Sequence, residues 1–495
     1  MGDVYQLSEL LVLAQQRRDA GDWSAARRLF GCAADLAPTD ASIRHNLALS
    51  HFALGQPVDA LGHAEAAILR SPRQWQSHAL AARIQRAGGD IDGCRASLAA
   101  VLAIDPGNGT ARIAMADLEI NEFGDARGAV ALVAPLRGDA RHAADAELTT
   151  LMALLYDRQS MSADALSSRL KRFSADHLRM PPVRGGTRPG RSRARVGLLS
   201  PLLSASPVHA LTYSTFAALA SQFDLVAFNR NPREDWATAQ FRGLCRGWHD
   251  VALLDAGGLA EVIAAESIDV LFDLGGWSDA VGLRALSARP AKRIFTWVGG
   301  QSATTGITAI DGWIGDAWQN PVACDGLYSE PVLRIAGGYV DYSPPPILAS
   351  IAAAQGRQRG VVLAGNPVKI GPDLMRHWPG GVTRVSLLDR RYRHPQTRAR
   401  VTALLAAGGI TIDAVIAPEG HGAYLSALSR FAAMVDTRPY GGGLTAIEAM
   451  TLGLDVISTA ATGCLFSERH QASHAHTGGR NPALARQIAA LITAA

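Results

Sequence analysis

Small residues recur along the first third of the chain at a fixed step of 34 residues. The series are Ala14, Ala48, Ala82 and Ala116; Gly21, Gly55 and Gly89; and Pro38, Pro72 and Pro106. Small residues at fixed phases let two helices approach closely, a glycine ends the first helix of each unit, and a proline follows the second. The pattern predicts helix–turn–helix repeats at 7–40, 41–74 and 75–108, with a degenerate fourth at 109–142.

A step of this length, carrying small residues at these phases, is typical of tetratricopeptide (TPR) repeats. Capping helices should extend the α-solenoid to residue 173, because such arrays need polar terminal units. We expect the groove of the array to recruit an acceptor protein or peptide. The alternative is a structural role as a spacer or in dimerisation, and homo-oligomers through the repeats are compatible with either.

The pattern changes at Arg195, where short apolar runs begin to alternate with amphipathic segments such as Ala256–Ala265. Such runs are typical of buried parallel strands joined by helices. A proline-rich break at Asp341–Ile347 divides them into two series. We therefore expect two doubly wound α/β domains facing a cleft, at 195–346 and 347–495, after a basic Pro/Gly linker at 174–194. Ligands of such sheets bind beyond the carboxyl ends of the strands.

The composition argues against several classes of function. A formal charge of +4 over 495 residues is too small for a nucleic-acid binder with a concentrated basic face. Five scattered cysteines without metal-ligand spacing indicate reduced thiols, no metal site and a cytoplasmic location. The first 20 residues lack the apolar core of a secretory signal, and no uncharged apolar run is long enough to span a membrane.

Two segments of the second series suggest phosphate chemistry. In "DTRPYGGGLTAIEA" a strand end is followed by a turn at Gly441–Gly443 and by a helix beginning near Thr445. Helix starts of this kind favour anions, and Glu448, one turn further, could accept hydrogen bonds from ribose hydroxyls. In "GNPVKIGPD", Lys369 is one of only three lysines among 48 basic residues. A compact ammonium opposite a helix start suits a diphosphate.

From Arg195 to Ser473 the chain resembles the TPR-containing O-linked N-acetylglucosamine transferases of GT-B fold, as a divergent, bacterial-type member. The resemblance rests on ordered blocks: "DVLFDLGGWS", "LRALSARPA", "WVGGQSATTGITAIDGWIGD", "YSEPVLRIAGGYVDYSPP", "GNPVKI", "VDTRPYGGGLTAIEAMTLGLDVIS" and "GCLFSERHQAS". It implies an inverting, metal-independent transfer of N-acetylglucosamine from UDP-GlcNAc to a Ser/Thr hydroxyl of a protein.

The resemblance also implies site residues. Lys369 would be catalytic, with His209 the only local candidate for a general base. Thr304, Thr305 and Gly306 would line the acceptor side of the cleft. The donor would contact Asn366, Lys369, His421, Tyr424, Gly442, Gly443, Thr445 and Glu448.

Three departures keep alternatives open. Ser206 stands where the family has a candidate catalytic His, with His209 one residue out of register. The donor loop reads Gly441–Thr445 where relatives carry a His and an additional Thr. The family's terminal helices also look shortened. The chain could therefore be an interaction scaffold with a degenerate transferase domain, or a transferase using another nucleotide sugar on flagellin or surface proteins. A nucleotide-sugar epimerase or phosphorylase of similar fold is a further possibility.

Overall fold

The structure is a computed structural model that describes residues 2–159, 161–185, 193–353, 360–458, 463 and 465–494. The chain forms two compact units, Met1–Thr149 and Thr150–Ala495. Part of the predicted basic linker, residues 186–192, lies outside the described residues.

The first unit is a series of antiparallel helix pairs. Its helices are α1 (Gly2–Asp19), α2 (Trp23–Leu36), α3 (Ala41–Ala53), α4 (Pro57–Arg70), α5 (Trp75–Gly88), α6 (Ile91–Ile104), α7 (Gly109–Leu118) and α8 (Ala126–Val133), with shorter turns at Glu119–Phe123 and Ala134–Gly138. Adjacent helices meet at the recurring alanines, which are at most 2% exposed: Ala14, Ala48, Ala82 and Ala116. The predicted repeat is confirmed.

The turn between the two helices of each repeat explains why glycine recurs at one fixed position. Gly21, Gly55, Gly89 and Gly124 all have φ between +71° and +81°, a left-handed conformation that residues with a Cβ adopt at a cost. In the fourth repeat the whole turn is shifted by one residue and follows a π-helical turn at Glu119–Phe123. Asp125 still caps α8 by accepting the N–H of Gly128 (2.9 Å). The degenerate repeat therefore keeps the helix–turn–helix geometry.

The second unit begins earlier than the sequence suggested. It includes the end of α9 (Ala143–Tyr156) and all of α10 (Ala163–Phe173), followed by a π-helical turn at Ser174–Leu178. Nζ of Lys171 donates to the carbonyl of Gly326 (2.9 Å), and the N–H of Val183 donates to that of Ala288 (2.9 Å). The expected boundary at residue 173 is thus corrected to about residue 150. The first part of the predicted linker, residues 174–185, therefore packs against the second unit, where the N–H of Val183 has its acceptor.

Two all-parallel sheets form the core of this unit. The first has the order β3-β2-β1-β4-β5-β6-β7, and the second has the order β10-β9-β8-β11-β12. The strands are β1 (Arg195–Ser200), β2 (Asp224–Asn229), β3 (Gly247–Asp250), β4 (Val270–Asp273), β5 (Arg293–Thr296), β6 (Gly312–Gly315), β7 (Val332–Arg334), β8 (Val361–Leu363), β9 (Arg384–Leu388), β10 (Thr411–Ile416), β11 (Ala433–Val435) and β12 (Asp455–Ile457). The central strands are buried on both faces, as their apolar runs predict.

Helices cover the sheets and connect them. They are α11 (Pro207–Leu219), α12 (Trp236–Leu244), α13 (Ala256–Ala265), α14 (Ala280–Ser287), α15 (Ile347–Ala353), α16 (Pro372–Arg376), α17 (Pro395–Ala407), α18 (His421–Leu428), α19 (Leu444–Thr451), α20 (His470–Thr477) and α21 (Leu484–Thr493). Short 3-10 turns lie at Gly276–Ser278, Val322–Leu327, Pro367–Lys369, Arg390–Arg393 and Phe466–Glu468. The predicted pair of doubly wound domains is confirmed.

The chain returns to the first sheet domain at its end. The guanidinium of Arg293, in β5, donates to the carbonyls of Leu491 (2.7 Å) and Ile492 (2.9 Å) in α21. The amide of Asn481 donates to the carbonyls of Ala336 (2.9 Å) and Gly338 (2.6 Å). Residues assigned by sequence to the second α/β domain therefore help to complete the first.

A search of the helices in the described ranges finds none both long enough and apolar enough to cross a membrane. Within the same ranges, no group of three or more His, Cys, Asp or Glu side chains is arranged to hold a metal ion.

Candidate functional site

The candidate site lies where the strand order of the second sheet reverses. β8 and β11 are adjacent and parallel, with Leu363 opposite Val435, yet chain segments leave them toward opposite edges of the sheet. Such a switch point opens a crevice between the loops that follow the two strands. We call residues 364–371 and 436–443 the switch-point loops. They approach closely, because a Cβ on Gly365 would lie 2.9 Å from Cγ2 of Thr437.

Lys369 bridges the two switch-point loops. It ends the turn Pro367–Lys369, which Asn366 caps by accepting the N–H of Val368 on Oδ1 (3.1 Å). Its Nζ donates to the carbonyl of Gly441 (3.0 Å) and lies 4.0 Å from the ring centre of Tyr440. Burial lowers the pKa of Lys369. The predicted donor residue Asn366 therefore holds the turn that presents Lys369, and the ammonium joins the two switch-point loops.

Asp436 organises the other loop. Its carboxylate is 5% exposed, and Oδ1 accepts the N–H of Gly442 (2.8 Å). Burial raises the pKa of Asp436, while the hydrogen bond from Gly442 and the charge of Lys369 oppose that shift. The N–H of Gly441 donates to the carbonyl of Ser467 (2.7 Å). The amide of Gly442, a predicted donor contact, is thus occupied by a protein acceptor, as is that of Gly441, and both hydrogen bonds fix the loop.

The amides at the start of α19 remain. Within the described residues, the N–H groups of Gly443, Leu444 and Thr445 have no protein acceptor. First-turn amides of a helix carry partial positive charge and are suited to bind anions. The positive field is reinforced by Arg391, whose charge is close enough to lower the pKa of Lys369. The geometry therefore offers a phosphate-sized anion three amides and an ammonium at one crevice.

The remaining predicted donor residues form a second cluster along α19. Nε2 of His421 lies 2.6 Å from Oε1 of Glu448, whose side chain is almost fully buried. The hydrogen bond that His421 donates to the carboxylate of Glu448 raises the pKa of His421, and burial raises the pKa of Glu448. The ring of Tyr424 stacks on His421, with 6.2 Å between ring centres. The half-exposed imidazole, rather than the carboxylate predicted for ribose, is therefore the group that this cluster presents.

His470 is a residue of the site that the sequence did not reveal. It begins α20, and a Cβ on Gly443 would lie 3.7 Å from its Nδ1. Its side chain also contacts Tyr440, with ring centres 5.5 Å apart. The quoted block "GCLFSERHQAS" contained this histidine, but only as a variable position between the Arg and the Ala-Ser. Arg391 was missed for the same reason, since it stands in an arginine-rich turn without a motif.

A cavity of about 510 Å³ lies on the other side of Asp436. It is lined chiefly by residues of the Asp436–Pro439 segment, of β12 and of α20, including Gln471 and His474. Of the predicted site residues, none of those in the described ranges lines it. This cavity therefore borders the 436–443 switch-point loop but not the predicted site residues.

His209 lies in the first sheet domain, within an aromatic cluster. Its ring contacts Tyr213, Trp236 and Phe241, with centres 4.8–5.5 Å apart, and its Nε2 pairs with Oε1 of Gln240 (2.8 Å). Burial lowers the pKa of His209. These contacts are typical of a packed structural histidine, and the catalytic role of His209 stays a prediction.

Ser206, which replaces the family's histidine, caps α11. Its Oγ accepts the N–H of Val208 (3.2 Å) and donates to the carbonyl of Leu202 (2.7 Å). Serine is among the preferred residues at such a position. The substitution therefore has a structural explanation that is independent of catalysis.

The three residues expected on the acceptor side of the cleft are Thr304, Thr305 and Gly306. The side chains of Thr304 and Thr305 are at most 1% exposed, and both hydroxyls donate to the carboxylate of Glu330. Gly306 has φ +75° and packs against Lys171 and Ser174. A buried carboxylate needs several donors, and these two hydroxyls supply them. The acceptor-side role of Thr304, Thr305 and Gly306 stays a prediction.

Helical repeats followed by two doubly wound parallel sheets, with an anion-suited helix start at a switch point, define a TPR protein carrying a GT-B glycosyltransferase fold. A solved point mutant of the O-GlcNAc transferase from Thermobaculum terrenum matches all of this chain and 93% of its own, with a TM-score of 0.60 and 22% identity. This is a likeness of fold. None of the known protein-family profiles matches the chain.

In sequence the chain is similar to plant proteins described as probable UDP-N-acetylglucosamine–peptide N-acetylglucosaminyltransferase SPINDLY. The protein from Petunia hybrida is 24% identical over 269 residues, which cover 50% of this chain and 29% of the plant protein. The protein from Arabidopsis thaliana is 23% identical over 273 residues. The chain thus spans about three tenths of the length of these curated relatives. The expected resemblance to the O-linked N-acetylglucosamine transferases is confirmed.

Proposed function

We propose that this protein transfers a sugar from a nucleotide donor to a serine or threonine hydroxyl of a protein. UDP-N-acetylglucosamine is the proposed donor, because the similar plant proteins and the solved bacterial enzyme carry that activity in their names. The single observation that carries the proposal is the crevice at the switch point, where Nζ of Lys369 donates to the carbonyl of Gly441, two residues before the amides that begin α19.

The proposed reaction is an inverting substitution without a metal. As the nucleoside diphosphate departs, negative charge grows on its outer phosphate. The ammonium of Lys369 and the amides of Gly443 to Thr445 are placed to stabilise that charge, which is most valuable in the transition state. The cluster of His421, Tyr424 and Glu448 would hold the nucleoside along α19. The hydroxyl proton of the acceptor passes either to the phosphate or to a base, for which His209 is the candidate.

The repeats are proposed to recruit the acceptor protein, which the transferase unit would then modify. Holding donor and acceptor together supplies much of the advantage of such an enzyme, because it makes a bimolecular step effectively unimolecular.

The test combines binding and transfer. Thermal-shift measurements with UDP, GDP and CMP species identify the nucleotide, and intact mass of co-expressed candidate acceptors detects sugar addition. Stabilisation by UDP and a mass increase of one N-acetylhexosamine are expected, and both should be lost in Lys369→Ala. Lys292→Ala is the matched control, since Nζ of Lys292 is exposed and pairs with Asp269 (2.7 Å) in the first sheet domain. If none of these nucleotides stabilises the protein, the proposal is wrong.

A second function is favoured by the departures at Ser206 and in the donor loop. A scaffold that binds nucleotide without turnover would be stabilised by UDP but would add no sugar. A different donor would show as stabilisation by another nucleoside diphosphate.

A further inference from the structure

One buried polar atom beside the crevice has no partner within the described residues. Nδ1 of His470 makes no hydrogen bond, although the residue is only 8% exposed. Buried polar atoms in folded proteins almost always have partners, so an orphan of this kind calls for a ligand or water. The neutral imidazole carries one N–H donor and one acceptor nitrogen.

The surroundings fix the direction of this atom. The ring of Phe466 meets the imidazole edge-on at 4.8 Å, and that of Tyr440 lies 5.5 Å away on the crevice side. The edge formed by Nδ1 and Cε1 faces Gly443, since a Cβ there would lie 3.7 Å and 3.9 Å from these atoms. The backbone is held too, because the amide of Gln319 donates to the carbonyl of His470 (3.3 Å). The orphan atom is therefore aimed at the start of α19.

The electrostatics favour an anion at this point. Burial, and after it the charge of Lys369, lowers the pKa of His470 well below its usual range, so the ring is neutral in the free protein. Because Gly443 has no side chain, no Cβ lies between its backbone and Nδ1, which is itself buried in the free protein. A group bound by the amides of Gly443 to Thr445 would therefore lie within reach of the imidazole as well as of Lys369.

We propose that Nδ1 of His470 donates a hydrogen bond to the phosphate of a nucleoside diphosphate seated on the first turn of α19. This inference rests on the proposed function and adds a residue to it. The donor loop itself, Gly441 to Thr445, contains no histidine. The imidazole is instead supplied by α20, a separate element that packs against the loop.

The test measures the Kd of UDP, uridine and inorganic pyrophosphate by calorimetry for four proteins. These are the wild type, His470→Phe, His470→Asn and His476→Phe. Phenylalanine keeps the ring and removes the donor, whereas the asparagine amide places a donor near the position of Nδ1. His476 is the matched control, since it lies on α20 but is exposed and stacks on Trp318, with 5.1 Å between ring centres.

His470→Phe should weaken UDP and pyrophosphate about 10- to 100-fold, the range for one hydrogen bond to a charged group. Uridine should change less than about twofold, His470→Asn should stay within about threefold of wild type, and His476→Phe should match wild type. Unchanged UDP binding in His470→Phe overturns the inference and leaves the proposed function standing. Equal losses for UDP and uridine also overturn it, because they indicate a packing role.

Two further results have a defined meaning: a wild type that binds no nucleotide, and a His470→Phe variant that does not fold. If wild type itself binds no nucleoside diphosphate, the proposed function fails and the inference fails with it. If His470→Phe does not fold, as judged by its circular dichroism, wild-type protein labelled with ¹⁵N-histidine gives the answer. Adding UDP should shift the Nδ1 resonance that His470→Asn lacks, and no shift on saturation with UDP would refute the contact.

Discussion

Replacing Lys369 tests whether the site needs a compact ammonium or only a positive charge. Nζ occupies a narrow place, 3.0 Å from the carbonyl of Gly441 and 4.0 Å from the ring centre of Tyr440. A planar guanidinium is longer and must direct its donors within one plane, so it does not fit the same position. We therefore expect Lys369→Arg to be nearly as impaired as Lys369→Ala.

The magnitude follows from the charge pair that would be lost. Two unit charges 4 Å apart attract by about 4 kcal/mol at an effective dielectric constant of about 20. Desolvation offsets part of this, so hydrogen bonds to charged groups contribute a net value of about 1.5–3 kcal/mol. The Kd of UDP should therefore rise about 10- to 100-fold in Lys369→Ala. The rate should fall about 100- to 1000-fold, as it does when one donor to a developing oxyanion is removed.

The pH dependence gives an independent check. Burial lowers the pKa of Lys369 to about 8, and the charged form is the one that binds phosphate. The affinity of wild type for UDP should therefore fall as pH rises through about 8, whereas Lys369→Ala should show no such fall. Calorimetry with UDP and initial rates of UDP release from UDP-N-acetylglucosamine are the assays. A Lys369→Arg protein with wild-type rate and affinity would refute the steric reasoning and show that charge alone matters.

Three further predictions concern the rest of the chain. Gly55→Ala should destabilise its repeat by about 1 kcal/mol because φ is +72°, whereas Gly62→Ala, inside α4 with open space around it, should be neutral or stabilising by up to about 1 kcal/mol. Native-state hydrogen exchange of α3 and α4 amides measures both, and equal effects would contradict the assignment. Thr305→Val should cost about 1–3 kcal/mol in chemical denaturation, because Glu330 loses a buried donor, and should leave UDP binding unchanged. A higher KM for the acceptor protein, with stability unchanged, would place Thr305 on the acceptor side of the cleft. His209→Phe should keep the rate within about threefold if the residue only packs. A loss above about 100-fold would identify it as the base.

The sequence predicted features that repeat or that follow strand ends. Gly21, Gly55 and Gly89 revealed the helical repeats from sequence, because a left-handed turn is a local requirement that glycine meets without a partner elsewhere in the chain. The helix Ala256–Ala265 was predicted with its observed bounds. Lys369 and Gly443 could be paired from sequence, since the ends of parallel strands meet at one edge of a sheet.

Long-range pairing was out of reach for the same local reasoning. Lys171 donates to the carbonyl of Gly326 and Ser174 to that of Thr305, both more than 130 residues further along the chain. The local sequence pattern gives no sign of these partners, so the domain boundary was placed too late. The threonines at 304 and 305 read as a polar turn, and only the position of Glu330 turns them inward. His470 lacked a motif because its role depends on which ring edge faces Gly443.

The return of α21 to the first sheet domain has a consequence for biosynthesis. Leu484, Ile488 and Ile492 are at most 1% exposed, and Arg293 depends on α21 carbonyls for hydrogen bonds. During translation, residues 195–346 leave the ribosome about 140 residues before these partners do. The first sheet domain therefore cannot reach its final surface while the chain is growing. The nascent intermediate exposes an apolar strip that α21 later covers, and this strip is where we expect chaperones to engage the chain.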